Sequence, residues 1–416
     1  YPNSYNDFSP TSPGMMFMEM SAYVGDVLSF YLDNQIQENF TQLARETNNL
    51  YELAYMFGYK PKSTGVAQAN IDLYQQVPSK LIGTEYFPDY DYCLTIGENT
   101  VIKQPNSDTV QFLMEDSCDF SVSSSLDPTE VSVYQIAGTT PQYYLLKKQR
   151  KSISAKIQNK SFVFTDPLPF QTVEINNSNI VGILDITDSD GNIWSEVDYL
   201  AQEMIYDSIK NTNTNDPNNT ENEGEVPYLL QLKKIQRRFA TRFTSDTTLQ
   251  IQFGAGNPND TDEVITPNPN NVGIGLPFEK NKLTTAFSPT NFLFTGTYGI
   301  SPSNTTLTVR YLTGGGVESN VDAGELTSIN TNTVSFNNSS LVGATSNYVF
   351  GTVEVSNPKA ADGGQSGDTI EEIRQNTLAS ISAQQRSVTL DDYMVRALSM
   401  PPDFGTICKA YIEKPQ

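Results

Sequence analysis

The chain has 416 residues, with 26 Lys and Arg against 48 Asp and Glu, a formal net charge of −22 and an isoelectric point near 4.3. This balance argues against a nucleic acid or an anionic membrane as the partner, because both need cationic side chains to replace counterions. Histidine is absent. That absence excludes a Ser-His-Asp or Cys-His nucleophile and a His-ligated zinc or haem.

The remaining composition points to a large protein that binds no metal or cofactor. Cys93, Cys118 and Cys408 form no CxxC pair, so we expect free, buried or neutral thiols. No apolar run reaches the ~18 residues that span a bilayer. The length predicts two to four domains. The chain starts at Tyr1 and stops within a pattern at Gln416, so we expect a piece of a longer protein.

The first predicted element is a helix that starts at Ser12-Pro13, because Ser caps helices and Pro suits the first helical position. Apolar residues then recur at three- and four-residue steps, which lays a band along the helix wider than a two-helix seam requires. The residues of this band are Met16, Phe17, Met20, Tyr23, Val24, Val27, Leu28, Phe30 and Tyr31. A second helix is predicted over 49–57, with Leu50, Leu53, Ala54 and Phe57 on one face and Gly58 at its end.

Two interpretations of the wide band remain open. A second helix of the same chain could cover it, or helices of other chains could complete a bundle around it. The second interpretation is favoured because little else in the sequence has a helical pattern, so few internal partners are available.

From residue 63 to about residue 355 the pattern changes to short alternating runs separated by Gly, Pro, Asn and Asp, which is typical of antiparallel strands with one solvated face. Asp190-Gly191 predicts a hairpin turn in which both central positions take positive φ. Residues 196–210 fit either a short helix or a strand with a loop. Residues 211–223 carry no apolar side chain, which predicts a solvated, Asn-rich loop.

The end of the chain is predicted to be helical again. A Gly- and Asp-rich hinge, 361–367, contains Gly363, Gly364 and Gly367. After it, Thr369 can cap a helix over 370–383, and Thr389 can cap another that follows it.

The sequence contains only weak matches to the motifs of catalytic and ligand-binding sites. Neither Gly254-Ala255-Gly256 nor Gly314-Gly315-Gly316 opens a helix, so both predict turns and not phosphate loops. Asp185, Asp188 and Asp190 depart from calcium-loop spacing by one residue, and a polar hairpin turn is favoured. The 48 carboxylates could supply a glycosidase pair, but sequence spacing cannot place two of them across a cleft. We expect no enzyme, no metal and no cofactor.

With catalysis disfavoured, the composition is best explained by surfaces that contact other proteins. The chain has 22 Tyr and 21 Phe at low charge density. Such side chains suit large permanent interfaces as well as cores. The residues therefore favour a scaffold that binds other proteins.

The segment from Asn6 to Phe40 resembles the N-terminal signature of the baseplate wedge proteins of contractile-tailed, T-even-type phages, in the baseplate J-like superfamily. The corresponding positions here are Pro13-Gly14, Glu19, Asp26 and Glu38. Four further segments resemble family landmarks in the same order along the chain: Ser189 to Gln202, Leu249 to Gly256, Val309 to Val321 and Thr369 to Leu398.

The resemblance implies a structural virion protein of the tail baseplate, made in the host cytoplasm. It implies that two copies join another wedge protein through an N-terminal helical bundle, and that wedges close into a ring around the hub. The ring would switch conformation when tail fibres bind and so trigger sheath contraction and genome ejection. Neighbouring wedges and the hub would be further partners. The family's longer C-terminal portion is absent beyond Gln416.

The predicted fold class is α+β, with an N-terminal helical bundle segment (1–62), two β-rich antiparallel modules (63–170 and 171–360), and a hinge with a short helical segment that starts a C-terminal α/β domain (361–416). Two other functions stay open. One is a tail-associated, β-rich polysaccharide depolymerase, and the other is a wedge homologue from a non-phage injection machine.

Overall fold

The computed structural model describes residues 9–105, 109–218, 220–222, 225–256, 298–338, 341, 343–384, 386–407 and 409–413. Cys408 lies outside the described residues, and so do parts of the predicted loop at 211–223. The fold class is α+β, as predicted: five helices and 22 strands are described, and the strands dominate.

The chain divides into two units. The first comprises Tyr1–Pro61, Asp368–Ser399 and Tyr411–Gln416, and the second comprises Lys62–Gly367 and Met400–Ala410. The helices are α1 (Pro13–Gln37), α2 (Thr47–Met56), α3 (Ala344–Gly351), α4 (Ile370–Ala383) and α5 (Leu390–Leu398). All except α3 belong to the first unit.

The helices of the first unit begin where local capping predicts. Ser12 Oγ accepts the N–H of Met15 at 3.2 Å, and Pro13 is the first residue of α1. Thr369 and Glu372 form a reciprocal capping box at α4, and Thr389 and Asp392 form another at α5. These side chains satisfy backbone N–H groups that have no partner inside the helix. The predicted starts of all three helices are confirmed.

Helix α2 packs against α4. Leu50, Tyr51 and Ala54 are buried on α2, while Leu53 is half-buried and Phe57 is 37% exposed. The predicted apolar face is therefore confirmed at Leu50 and Ala54. The buried face of the helix is rotated from the predicted one, so that it includes Tyr51. On α4, the buried residues are Ile373, Thr377, Ser380 and Ala383.

The second unit contains an eight-stranded sheet and a three-stranded sheet. The eight-stranded sheet has the order β19-β5-β6-β9-β2-β21, with β3 paired to β2 and β8 to β9, and the three-stranded sheet has the order β20-β4-β7. Their strands are β2 (Gln68–Ile82), β3 (Glu85–Pro88), β4 (Leu94–Ile96), β5 (Val101–Lys103), β6 (Gln111–Met114), β7 (Cys118–Asp119), β8 (Glu130–Ala137), β9 (Thr140–Ile153), β19 (Ser328–Ile329), β20 (Val334–Phe336) and β21 (Glu354–Ser356).

A seven-stranded sheet follows, with the order β10-β18-β12-β13-β16-β17-β11. Its strands are β10 (Ala155–Phe164), β11 (Thr172–Asn176), β12 (Ile180–Thr187), β13 (Ile193–Glu196), β16 (Arg238–Ser245), β17 (Thr248–Phe253) and β18 (Thr305–Gly314). Two separate pairs remain. They are β1 (Thr64–Gly65) with β22 (Gln365–Ser366), and β14 (Met204–Lys210) with β15 (Tyr228–Lys234).

Each large sheet has an apolar core. Ile71, Leu73, Phe112 and Leu146 belong to one cluster in the first sheet and have no exposed surface. In the second sheet Phe253 packs edge-on against Trp194, with ring centroids 5.3 Å apart, and against Phe164 at 5.5 Å. Alternate residues of the strands face these cores, which is the pattern that the sequence predicts. The predicted module limits at 62, 170 and 360 stay predictions.

Two local expectations need correction. The hairpin β12–β13 forms as predicted, with Thr187 opposite Ile193, but only Gly191 of the Asp190-Gly191 pair takes positive φ (80°). The turn is wider than expected and is held by the Asp188 carboxylate, which accepts the N–H groups of Asp190 and Asn192. In addition, β13 pairs with β16 in parallel, although the alternating pattern predicts antiparallel strands.

Residues 196–210 form a strand with a loop and no helix, so one of the two open interpretations is correct. In the loop after it, the described residues are turns with mostly exposed side chains, apart from Asn211. Asn211 is fully buried, and its side chain donates to the carbonyl of Val226 at 2.9 Å. The run Gly314-Gly315-Gly316 takes positive φ throughout, as a turn does, and leads into the short 3₁₀ helix Val317–Ser319.

Candidate docking surface on the N-terminal helix

Helix α1 buries no side chain among the described residues. Eight of the nine residues predicted to form the bundle interface are large and strongly exposed: Met16 59%, Phe17 63%, Met20 60%, Tyr23 70%, Val24 49%, Leu28 57%, Phe30 64% and Tyr31 65%. Val27 is half-buried. Single exposed apolar residues are common on proteins, but a continuous band of this size marks an interaction surface.

The apolar surface of α1 is wider than the sequence analysis proposed. Met18, Leu32 and Ile36 are 46%, 64% and 57% exposed, and they lie on helix positions outside the predicted band. Their signal was present in the sequence as apolar residues outside the three- and four-residue steps of the band. We call the predicted band and these three residues together the α1 apolar surface.

Acidic residues occupy the remaining strip of α1. Glu19, Asp26 and Asp33 are spaced by seven residues, so they lie in one row along the helix. The helix contains no Lys or Arg. The α1 apolar surface is therefore flanked by a row of negative charge.

The connection from α1 to α2 is fixed by Glu38, one of the residues that carry the family resemblance. The carboxylate of Glu38 accepts the N–H groups of Arg45 at 2.9 Å and Glu46 at 3.1 Å, and the side chain of Asn49 at 3.1 Å. The backbone hydrogen bond from Arg45, followed by the one from Asn49, holds the pKa of Glu38 below its usual value. An ionised Glu38 thus sets the path of the chain as it leaves α1.

Arg374 of α4 supports the same connection. Its guanidinium donates to the carbonyl of Thr41 at 2.9 Å and to the carbonyl of Ala44 at 2.8 Å. Arginine suits this position because its planar group reaches two acceptors at once. Helix α4 therefore holds the α1–α2 connection through residues more than 300 positions away in the chain.

A second set of polar contacts joins α4 to the residues after α2. The hydroxyl of Tyr59 donates to Asp368 at 2.6 Å and accepts from Asn376 at 2.9 Å. Burial, together with the negative charge of Asp368, raises the pKa of Tyr59. Tyr59 is therefore a neutral hydrogen-bond donor at physiological pH, and its role here is structural.

The predicted hinge glycines lie in closely packed backbone. Gly363 has φ +88°, a conformation that favours glycine. A Cβ at Gly364 would lie 2.6 Å from the carbonyl oxygen of Gly316, and a Cβ at Gly367 would lie 2.3 Å from that of Ser63. The division between the two units falls between Gly367 and Asp368. The hinge itself stays a prediction.

No group of three or more Cys, Asp or Glu side chains in the described residues is arranged to hold a metal ion. Asp185 pairs with Arg310, and Asp188 pairs with Arg237. Although burial alone opposes it, hydrogen bonds from Asn192 and Asp190 and the charge of Arg237 hold the pKa of Asp188 below its usual value. The Asp188 carboxylate thus holds the β12–β13 turn, which fits the polar-turn interpretation, whereas Asp185 pairs across the sheet with Arg310 of β18.

The two cysteines within the described residues are buried and free, as expected. Burial, and then the charge of Asp119, raises the pKa of Cys93 to about 12. Burial raises the pKa of Cys118 to about 11. Neither thiol carries the thiolate character of a reactive cysteine.

Helix α1 is 25 residues long and rich in apolar side chains. None of the described helices combines the length and hydropathy needed to cross a membrane.

Exposed apolar patches of this size are typical of protein interaction sites. Residues 3–56 match the family model described as "Bacteriophage baseplate protein, N-terminal domain". The match includes α1 and α2 and supports a structural role in a phage baseplate, and hence in the virion tail. No curated protein matches the chain.

Proposed function

We propose that this chain is a structural subunit of a baseplate wedge, and that the α1 apolar surface binds helices of other chains. The expected partners are a second copy and another wedge protein, joined in one helical bundle. The observation that carries the proposal is that α1 buries no side chain among the described residues, although large apolar residues cover most of it. A helix that is apolar nearly all round is normally buried.

The energetics favour association. Burying a side chain such as Met20, Val24 or Leu28 contributes about 1.5–3 kcal/mol. Permanent interfaces of obligate complexes bury more than roughly 2,000 Å². With 11 of its residues apolar and more than 45% exposed, α1 can supply the apolar centre of such an interface.

We further infer that wedges close into a ring around the hub and that the segment after Gly363 and Gly364 changes orientation when the ring switches and the sheath contracts. A closed ring needs contacts that repeat around a symmetry axis. The hinge proposal is supported by the position of residues 361–367, which end where the first unit resumes at Asp368. The chain would be made in the host cytoplasm and act without catalysis, and a reducing-sugar assay on host capsule should then detect no release.

Val24→Asp tests the bundle. A charge at this position would have to be desolvated in the bundle, so we expect the variant to form smaller assemblies than the wild-type chain at the same concentration. Light scattering after size exclusion measures assembly, and circular dichroism measures whether the sheets of the second unit stay folded.

Ala22→Asp is the matched control, because it adds the same charge to an exposed position of the same helix, beside the acidic row and about 160° away from Val24. We expect this control to assemble more strongly than Val24→Asp. A Val24→Asp chain that forms assemblies as large as those of the wild-type chain at the same concentration would remove the proposal. An electron micrograph of the assembly should show a ring with paired copies in each sector.

A further inference from the structure

The pair β14–β15 forms an arm that has no third strand among the described residues. Five large apolar side chains are exposed on one face of this arm: Met204 47%, Tyr206 75%, Tyr228 53%, Leu230 76% and Leu232 54%. An isolated two-stranded sheet is marginally stable, and open strand edges pair readily with further strands. The arm therefore has the features of an unfinished sheet.

Backbone hydrogen bonds at the two ends of the arm fix which groups face outward. Asn211 donates to the carbonyl of Pro227 at 2.8 Å, and Ile235 donates to the carbonyl of Glu203 at 2.9 Å. The register between them is regular, and hydrogen-bonded pairs alternate along an antiparallel ladder. It follows that Tyr228, Leu230, Leu232 and Lys234 direct their N–H and C=O groups away from β14.

The two edges of the arm differ. On β14, the carbonyl of Met204 accepts from the side chain of Gln202 at 3.1 Å, and the carbonyl of Lys210 accepts from Asn215 at 2.8 Å. The outward backbone groups of β15 make no hydrogen bond within the described part of the chain. The open edge is therefore that of β15.

We propose that β15 pairs antiparallel with β15 of a second copy, about a two-fold axis at Gln231, to form a four-stranded sheet. In this register Leu230 lies opposite Leu232 of the second copy, and Tyr228 lies opposite Lys234 of the second copy. All four outward residues of each strand then form hydrogen-bonded pairs, because each residue meets another whose backbone groups also face outward.

Charge explains why the second copy uses β15. A symmetric pairing of β14 would centre on Asp207 and place two carboxylates directly opposite each other, which is destabilising. Symmetric pairing of β15 places Gln231 opposite Gln231 and Lys233 opposite Leu229, so no like charges oppose. Because of the two-fold axis, the stabilising contact between Leu230 and Leu232 forms twice.

The inference concerns the second unit and does not rest on α1. A second copy attached through α1 would raise the local concentration of β15 edges, but the pairing needs only residues of the arm.

Gln231→Cys tests the axis directly. In a non-hydrogen-bonded antiparallel pair the Cα atoms are about 4.5 Å apart, which lies within the range that a disulfide spans. We expect mild oxidation of the full chain to give a disulfide-linked dimer on non-reducing gels. Ser208→Cys, exposed on the opposite strand, is the matched control and should not exceed the wild-type background from the native thiols. Equal dimer yields from the two variants would overturn the proposal.

Proline provides a second test with the same readout. Leu230→Pro removes an outward N–H of β15, and Ser208→Pro removes an outward N–H of β14, and neither change breaks the ladder between the two strands. Added to Gln231→Cys, Leu230→Pro should lower the dimer yield at least fivefold, whereas Ser208→Pro should leave it unchanged. Equal loss from both prolines would contradict pairing through β15.

Discussion

At the scale of single residues, Asp403 is the clearest case of a side chain whose burial lowers the stability of the folded state. Its Oδ1 atom is buried without a hydrogen-bond partner. Burial, followed by the charges of Glu196 and Glu115, raises the pKa of Asp403 to about 6 from the ordinary 3.8. Between these two pH values the folded state binds more protons than the unfolded state, so this group lowers stability as pH rises from about 4 to 6. Above pH 6 the full cost is present.

Asp403→Asn should therefore stabilise the second unit at pH 7.5, on the order of 2 kcal/mol, and should have little effect at pH 4. Urea unfolding at both pH values measures the difference. Asn replacing the exposed Asp166 is the control for the loss of one surface charge and should not reproduce the gain at pH 7.5. A gain from Asp403→Asn that is equal at pH 4 and 7.5 would show that the charge is not its origin.

The variant Gly367→Ala tests how closely the backbone packs after the end of β22. A Cβ there would meet the backbone oxygen of Ser63 at 2.3 Å, and backbone cannot move aside cheaply. We expect Gly367→Ala to lower the free energy of unfolding by about 2 kcal/mol or more. Gly351→Ala, at the end of α3 with no atom within 4 Å, should be neutral or stabilising. Matching urea midpoints for the two variants would refute the packing argument.

At the scale of elements, helix α1 should be stabilised only by its own local interactions in the free chain, because it buries no side chain. Gly25 lies inside α1, and a Cβ there meets no atom within 4 Å. Gly25→Ala should stabilise the helix by about 1 kcal/mol and slow amide hydrogen exchange in α1 roughly fivefold. Gly83→Ala also has open space but has φ +67°, so it should destabilise its turn. Unchanged exchange in α1 would indicate that packing protects the helix.

Elements could be predicted from the sequence where the residues that determine them lie within a few positions of each other. The starts of α1, α4 and α5 depend on Ser12, Thr369 and Thr389, whose partners lie three residues away. Strand partners could not be predicted in this way. The pairing of Thr64 with Ser366 and the parallel pair β13–β16 depend on residues far apart in the chain.

The candidate docking surface was predictable for a similar reason. Helical periodicity is a local property, and it located the apolar residues of α1. The β14–β15 arm was missed because residues 196–210 fit both a helix and a strand, and only their pairing with Tyr228–Lys234 decides between them. The hydrogen bonds that distinguish the two edges of the arm are local, from Gln202 to Met204 and from Asn215 to Lys210, but they could be interpreted only once the strands were known.

At the scale of the whole molecule, the net charge of −22 opposes every contact between copies of the chain. The proposed contacts, through α1 and through β15, are mainly apolar or made by backbone hydrogen bonds, so electrostatic attraction does not drive them. Salt screens repulsion between like-charged proteins: the Debye length falls from about 30 Å at 0.01 M to about 8 Å at 0.15 M. Association should therefore strengthen as ionic strength rises.

Sedimentation velocity of the wild-type chain in 0.02, 0.15 and 0.5 M sodium chloride measures this dependence. We expect the association constant to rise by about tenfold across the series, since a change of 1.4 kcal/mol in repulsion has that effect. Val24→Asp with Leu230→Pro removes one contribution from each proposed contact and should stay monomeric throughout. Association that weakens with salt would mean that complementary charges hold the copies together, and both proposed contacts would then be the wrong ones.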